Sequence, residues 1–417
     1  MGRETSKRAS TLRVYKSNLK TCPCCQKRLY LKKNKNCSQT AMATLFSSEN
    51  VSQIASQSKF CAKKTCRREV RHNFVWLGGQ KINCMSFKDM VASGLYFVST
   101  KTAFAIPYLE LCYYRLLRAK TSPGQEAAVR LIVHGSAEGM FWQQNSFRDH
   151  LLHALEGYAI ARRTPNQVVP FNVDFPAMEV VKIKSPLLLF PPAATVTAVA
   201  FDGHFGVHRM LHSSEPPRTV PKKGRPMKQI PEHERSCHCK TNDAMRQVLP
   251  DRTAGWQFAL DPQTGKVLGA YEHTVNERNQ DKAALLQHVL SMPNVHADLL
   301  VHDDACHFEK FVATYDSNAF DNIEFFLVDT FHMKNHKCHK NSRTRKEKKR
   351  LKNVRTSICE AFNAWLRPMN FFLNSLRPHS HKFWVQEAIT FYNANLPSLP
   401  PILMRRSTTA TRNRRKK

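Results

Sequence analysis

A run of apolar and β-branched residues that ends in an acid decides the fold: Ala194-Thr-Val-Thr-Ala-Val-Ala-Phe-Asp202. Its composition and length are typical of a buried strand. A second run of this kind is Ala297-Asp-Leu-Leu-Val-His-Asp303. Together they predict a sheet in which two strands each place a carboxylate at their carboxyl end.

Further strands and helices are predicted after the first run. They are strands at 256–260 and 266–271, a helix around 285–290, the strand that ends at 302, a strand at 323–328 and a helix from about 357. The turn-rich loop Asp261-Pro-Gln-Thr-Gly265 indicates that the first two of these strands form a hairpin. This order of elements is typical of the ribonuclease-H-like fold, an α/β fold in which helices flank a mixed sheet.

Three acids are the candidate catalytic residues. Asp202 and Asp303 follow the two strand runs, and Glu360 opens an amphipathic helix. A pair of Mg²⁺ or Mn²⁺ ions that acts on a phosphodiester needs oxygen ligands from separate elements, which widely spaced carboxylates supply. Each acid also has a structural explanation, namely a turn at Asp202-Gly203, a helix cap at Asp303-Asp304 and a capping box formed by Ser357 and Glu360.

The chain is strongly basic. It has 64 Lys and Arg against 32 Asp and Glu, a formal net charge of +32 over 417 residues. This charge attracts polyanions and predicts salt-dependent binding of nucleic acid, with a generic solubility surface as the alternative. Prolines interrupt the apolar runs and the first residues are polar and basic, so neither a membrane span nor a secretory signal is predicted. The protein is therefore expected inside the cell.

Composition divides the chain into predicted segments: a Cys-rich basic zinc module at 1–88, a helical connector at 89–192, a catalytic domain at 193–400 and a basic tail at 401–417. Two basic insertions, at 210–250 and 340–355, are expected to be disordered until they meet a phosphate backbone. The second insertion supplies the candidate DNA-binding residues Lys346, Lys348, Lys349 and Arg350. The tail suits nuclear import or a nonspecific DNA arm.

The amino-terminal module is expected to bind zinc. It holds more than half of the chain's 13 cysteines, and in a reducing compartment cysteines serve as thiols or metal ligands rather than as disulfides. The paired spacings Cys22-Pro-Cys-Cys25 and Cys61-Ala-Lys-Lys-Thr-Cys66 predict a four-cysteine site. The candidate substitutes or second-site ligands are Cys24, Cys37, His72 and Cys84.

A second zinc site is also expected, because sulfur and imidazole ligands suit tetrahedral zinc. Its predicted ligands come from the first insertion and from a His-rich stretch after the fifth strand: Cys237, Cys239, His336 and Cys338. The alternative is that His332 and His336 only orient neighbouring acids or phosphates.

Aromatic residues follow Glu360 at mostly helical spacing, which predicts core packing. They are Trp365, Phe371, Phe372, Phe383, Trp384, Phe391 and Tyr392. Such a core would hold the helix that aims Glu360.

Four segments carry a family resemblance: Phe201-Asp-Gly-His-Phe-Gly-Val-His-Arg209, Val301-His-Asp-Asp-Ala-Cys-His307, Asp329-Thr-Phe-His-Met-Lys-Asn-His-Lys-Cys338 and Ile358-Cys-Glu-Ala-Phe-Asn-Ala-Trp-Leu366. They resemble the motif blocks of the Kyakuja-Dileera-Zisupton transposases, cut-and-paste DNA transposases with a ribonuclease-H-like acidic triad. The similarity covers about residues 193–395 and, more weakly, the Cys-rich start. It implies that the family's two aspartates and its glutamate fall on Asp202, Asp303 and Glu360.

The resemblance also implies accessory residues and partners. Asp329-Thr-Phe-His332 fits a signature of the related Mutator-like enzymes. Asp304 departs from the family's pattern, because it stands beside Asp303 and is a candidate to take over its role. The implied protein is a nuclear, magnesium-dependent DNA transposase, or a protein derived from one, that binds double-stranded DNA as a homo-oligomer. The alternatives are a domesticated, catalytically inactive DNA-binding protein and a zinc-dependent RNA-binding factor.

Overall fold

The computed structural model describes residues 13–31, 40–134, 144–182, 185–211, 251–274, 277–315, 318–330, 332–336, 345–352 and 354–396. The chain forms two compact units, Met1–Val181 and Lys182–Lys417. Nearly all of the first predicted insertion and the whole of the basic tail lie outside the described residues. The domain boundary predicted at 88 falls inside the first unit, and the one predicted at 192 falls just after the start of the second.

Two five-stranded sheets are present in the described part of the first unit. The strands are β1 (Val14–Lys16), β2 (Leu29–Tyr30), β3 (Thr40–Phe46), β4 (Val51–Gln57), β5 (Lys59–Cys61), β6 (Glu69–Arg71), β7 (Phe74–Leu77), β8 (Gln80–Asn83), β9 (Leu95–Phe97) and β10 (Thr102–Ala105). One sheet is mixed, with the order β1-β4-β3-β10-β9. The other is antiparallel, with the order β2-β5-β6-β7-β8.

The helices of this unit are α1 (Phe87–Ser93), α2 (Ile106–Tyr114), α3 (Pro123–His134), α4 (Gln144–Arg163) and α5 (Pro176–Val180), with a π-helical turn at Arg115–Ala119. Helices are present in the predicted connector as α2 and α4, which bury residues such as Tyr108 and Leu155. Strands β9 and β10 were not predicted, because three or four residues are too short to show a period of two. They join the sheet of β3, so residues 89–105 do not belong to a purely helical segment.

The second unit contains a six-stranded mixed sheet. Its strands are β11 (Leu187–Leu189), β12 (Val196–His204), β13 (Gly255–Leu260), β14 (Val267–His273), β15 (Val295–His302) and β16 (Phe325–Val328), in the order β11-β14-β13-β12-β15-β16. Strands β12, β15 and β16 are parallel, and the other neighbours are antiparallel. The five predicted strands are confirmed, and β11 is an additional edge strand. The chain is therefore a mixed α/β protein.

Helices cover both faces of this sheet. They are α6 (Asn279–Leu290), α7 (Ala305–Val312), α8 (Arg345–Leu351), α9 (Ile358–Leu366), α10 (Asn370–Asn374) and α11 (Pro378–Asn395), with 3-10 turns at Asn318–Phe320, His332–Asn335 and Arg367–Met369. On one face, α6 and α7 share an apolar core with Phe201. On the other, Phe362 of α9 packs edge-on against Phe258 with 4.8 Å between ring centroids. Because side chains alternate along a strand, Asp202 points away from the Phe201 core and towards α9.

The segment at 340–355 differs from the expectation of disorder, because its described part contains α8. Ion pairs hold this helix to the sheet: Lys346 contacts Glu324, and Arg350 Nε lies 3.2 Å from Asp298 Oδ1. Lys, Arg, Glu and Leu are also good helix formers. The expectation of disorder rested on charge composition alone, and it took account of neither the ion pairs nor the helix propensity.

Helix α11 forms most of the predicted aromatic core. Its His381 is fully buried, donates from Nδ1 to the carbonyl of Leu373 at 2.9 Å, and accepts from the Trp256 indole at 3.0 Å. Burial lowers the pKa of His381 to about 3. The aromatic prediction is wrong at one position, because Phe371 is 92% exposed. No helix in the described part of the chain is long and apolar enough to cross a membrane.

Candidate functional site

Strand register brings three acids into one row. Ala200 of β12 pairs with Val301 of β15, which in turn pairs with β16. Two positions further along each strand stand Asp202, Asp303 and Asp329. Because the three strands are parallel and adjacent, these acids meet at one edge of the sheet.

Asp202 is fixed by two hydrogen bonds. Its Oδ1 accepts from the Gly203 amide at 2.8 Å, and its Oδ2 accepts from Asn363 Nδ2 of α9 at 3.0 Å. Burial raises the pKa of Asp202 to about 8, and the negative charges of Asp303 and Glu360 contribute to this rise. The carboxylates therefore repel one another, and a cation between them would relieve the repulsion.

Asp303 is supported by a buried histidine. His302 Nδ1 lies 3.0 Å from Asp303 Oδ1 and 2.8 Å from the Phe201 carbonyl, while its Nε2 accepts from Lys282 Nζ at 3.0 Å. Burial alone would raise the pKa of Asp303, but the contact with His302 and the charge of Lys282 hold it well below its usual range. The ligand atoms of Asp202, His302 and Asp303 all lie within 4.8 Å of one another.

Glu360 occupies the first turn of α9, one helical turn before Asn363. The two therefore share a face of the helix, and Glu360 interacts electrostatically with Asp202. Glu360 is exposed, and its carboxylate is not in the group of ligand atoms from Asp202, His302 and Asp303 that lie within 4.8 Å of one another. Among the described residues, Ser357 makes no side-chain cap hydrogen bond to α9, so the capping-box explanation of Glu360 does not hold.

The accessory pair Asp329 and His332 lies beside the acids. His332 Nδ1 is 2.5 Å from Asp329 Oδ2, and the His332 amide donates to Oδ1 at 3.0 Å. The hydrogen bond that His332 donates to Asp329 raises the pKa of His332 to about 9, with smaller contributions from Asp303 and Asp202. A cationic imidazole next to the acids is suited to a phosphate oxygen.

Asp304 belongs to a different group from its neighbour Asp303. Its Oδ1 accepts a hydrogen bond from His307, and together with Cys306 these residues form a separate set of potential ligands. The geometry therefore favours Asp303 over Asp304 as the acid of the row.

The four predicted cysteines of the amino-terminal module come together. The Sγ atoms of Cys22 and Cys66 are 3.7 Å apart, and those of Cys25 and Cys61 are 3.3 Å apart. All four sulfurs lie within 4.8 Å of one another. A zinc ion with Zn–S distances of about 2.3 Å would place tetrahedral sulfurs roughly 3.8 Å apart. The cluster is therefore compatible with zinc.

Two similar turns present these cysteines. The residue after the second cysteine of each pair has a left-handed backbone, with φ of 58° at Gln26 and 45° at Arg67. Backbone hydrogen bonds close both turns, Gln26 to Cys22 and Arg67 to Lys63. The pKa of Cys25 is lowered to about 7, mainly by the backbone amide of Lys27. Burial raises the pKa of Cys61 to about 12 and also raises the pKa of Cys66, so Cys25 loses its proton most readily of these three thiols.

The other proposed ligands of this module are not among the four grouped sulfurs or lie outside the described residues. Cys24 is exposed and contacts Cys22, and Cys84 is buried in the core that contains Cys22 and Cys61. His72 Nε2 contacts the Leu95 carbonyl at 3.2 Å, and Cys37 lies outside the described residues.

The second predicted zinc set is mostly outside the described residues, since Cys237, Cys239 and Cys338 all fall there. His336 is described, and its Nδ1 lies 3.5 Å from Cys306 Sγ. Cys306 was not considered from the sequence, although the Cys306-His307 pair was a visible signal.

The predicted DNA-binding group lies on α8. Lys346 and Arg350 pair with Glu324 and Asp298, and Lys346, Lys348 and Lys349 are all exposed. Sequence reasoning also missed Asn363 and Lys282, which hold the acids through the contacts given above. Asn363 could have been found from its position three residues after Glu360.

The chain has no match among the known proteins with which it was compared. No protein family, no curated protein and no solved structure matches this chain. Its function has to be inferred from its own residues and their contacts.

Proposed function

We propose that this protein is a metal-dependent DNA-cutting and DNA-joining enzyme of the DDE transposase type, with a ribonuclease-H-like catalytic unit. The observation that carries the proposal is the row of acids at the ends of three adjacent parallel strands, facing the helix that bears Glu360. The sequence resemblance assigns two acids of this row, Asp202 and Asp303, together with Glu360. The strand order of the second unit also agrees with a ribonuclease-H-like sheet.

Asp202 and Asp303 would hold Mg²⁺ or Mn²⁺, with Glu360 as the candidate third ligand. The donor set fits such an ion, because hard cations prefer carboxylate oxygens. In addition, Asn363 Oδ1 is buried with no hydrogen-bond partner among the described residues, which leaves an acceptor for a water on the metal. When bound, the metal would activate a water or a 3′ hydroxyl and stabilise the leaving oxygen. His302 and Asn363 orient the two aspartates.

The surroundings suit a nucleic acid. A cavity of about 500 Å³ contains Gly206, four residues after Asp202, and is lined by Arg252, Arg367 and Asn370, with the exposed ring of Phe371. Arginines bind phosphates and an exposed aromatic ring stacks on bases. The net charge of +32 adds a long-range attraction. Double-stranded DNA, assembly as a homo-oligomer and a nuclear location complete the proposal.

A plasmid-nicking assay tests the catalytic assignment. The full chain should nick supercoiled DNA in Mg²⁺ or Mn²⁺, and Asp202→Asn, Asp303→Asn and Glu360→Gln should abolish nicking while DNA retention on a filter is unchanged. The matched control is Glu324→Gln, which removes an exposed acid just before β16, at the opposite edge of the sheet. Full nicking by the triad variants would refute the assignment.

A second candidate is a catalytically inactive DNA-binding protein that keeps the fold as a scaffold. The exposed position of Glu360, outside the group of close ligand atoms, favours this reading. Filter retention of DNA without nicking in either metal would establish it over the enzyme.

A further inference from the structure

We infer that the second unit holds a zinc site distinct from the acidic row. Its ligands are a thiol, two imidazoles and a carboxylate, from Asp304, Cys306, His307 and His336. This is a structural site, and it goes beyond the proposed catalytic function.

Cys306 is the centre of the group. Its Sγ lies 3.5 Å from Nδ1 of His336 and 3.9 Å from Nδ1 of His307. A tetrahedral zinc with Zn–S of about 2.3 Å and Zn–N of about 2.0 Å separates sulfur and nitrogen by roughly 3.5 Å. The sulfur is therefore close enough to both ring nitrogens to bind a single zinc ion with them.

Asp304 supplies the fourth ligand. Its Oδ1 accepts a hydrogen bond from His307 Nδ1, and the ligand atoms of Asp304, Cys306 and His307 lie within 4.8 Å of one another. Zinc would take the place of the proton between Asp304 and His307. His336 lies outside this group and joins it through its contact with Cys306.

The chemistry selects zinc over the ion proposed for the acidic row. Thiolate and imidazole ligands suit zinc, whereas Mg²⁺ prefers oxygen alone. One thiolate and one carboxylate neutralise the charge of Zn²⁺. A neutral site is favourable here because Cys306 and His336 are buried, and an uncompensated charge is costly to bury. Four protein ligands leave no open position, as in structural sites.

The zinc site would stabilise the two segments that follow the acids of the row. Asp304 to His307 begin α7 directly after Asp303, and His336 follows the turn that carries His332. A metal that joins these two segments would fix the loops after β15 and β16 relative to each other.

Metal counting on the full chain tests the inference. After growth with zinc and exhaustive dialysis, Cys306→Ser and His336→Gln should each lose one zinc per chain relative to wild type. Cys61→Ser should lose a different zinc, so that its combination with Cys306→Ser loses both. The matched control is Cys112→Ser, which changes a buried cysteine of the first unit and should retain the wild-type content.

A wild-type measurement covers the case in which a variant does not fold. X-ray absorption at the zinc edge should give about 2.5 sulfurs per zinc, the mean of a four-sulfur and a one-sulfur site. About four sulfurs per zinc, or an unchanged zinc content in folded Cys306→Ser, would overturn the inference. Failure of the nicking assay would not alter the zinc content, so the two proposals fail separately.

Discussion

The contact between Asn363 and Asp202 gives a quantitative test of the acidic row. Asn363→Ala removes one of the two hydrogen bonds that the Asp202 carboxylate accepts, the one donated from α9 at 3.0 Å. A hydrogen bond to a charged group contributes about 1.5 to 3 kcal/mol, which corresponds to about a 10- to 100-fold change in an equilibrium constant. Loss of a group that orients a metal ligand lowers metal affinity over the same range. We therefore expect Mn²⁺ to bind about 10- to 100-fold more weakly to the variant.

Isothermal titration of the full chain with Mn²⁺ measures this effect without requiring catalysis. The matched control is Asn393→Ala in α11, which loses hydrogen bonds of 2.9 and 2.8 Å to Val267 but lies away from the acids. The control should bind Mn²⁺ like wild type. Equal Mn²⁺ affinity in the Asn363 variant and wild type would refute the role of this hydrogen bond in positioning a metal ligand.

Four further outcomes are expected. Cys61→Ser should release zinc and lower the melting temperature, as measured by metal analysis and a thermal scan. The folded-state pKa of His381, about 3, lies below the unfolded value of roughly 6.5. The contribution of His381 to the free energy of unfolding should therefore be fully present above pH 6.5 and fall by about 1.4 kcal/mol per pH unit towards pH 3. In urea titrations, His381→Gln should make the free energy of unfolding depend less on pH. An unchanged pH dependence in the variant would contradict the burial argument. Gly157→Ala should destabilise by about 1 to 3 kcal/mol through overpacking, because its Cβ would clash with the hydroxyl of the buried Tyr96 and lie 3.1 Å from Phe171. Gly124→Ala should not, because its Cβ would meet nothing nearer than 3.8 Å. Phe371→Ala should weaken single-stranded DNA binding by about 1 to 3 kcal/mol while Phe371→Tyr preserves it, which fluorescence anisotropy would show or disprove.

Much of the second unit could be predicted, because its strands carry strong local signals. The run that ends at Asp202 is long, apolar and β-branched, and it forms β12 as expected. The four-cysteine cluster could also be predicted, since two short paired spacings restrict which sulfurs can meet.

The features that could not be predicted depend on contacts between distant residues. Helix α8 is held by ion pairs to acids 22 and 52 residues away, which charge composition cannot reveal. Cys306 and His336 are 30 residues apart and meet only because β15 and β16 are neighbours. Phe371 fits the helical spacing of its aromatic neighbours, but it lies on a short helix whose outer side is left uncovered.

The shared register of β12, β15 and β16 makes the length of each strand critical. Removing one residue from the middle of β15 would turn Asp303 to the opposite side of the sheet, since successive side chains alternate. Removing two residues would keep Asp303 on its original side of the sheet but shift its carboxylate along the strand by about 7 Å. Insertions and deletions should therefore accumulate in the connections, such as the one between β12 and β13, while these three strands keep an unchanged number of residues.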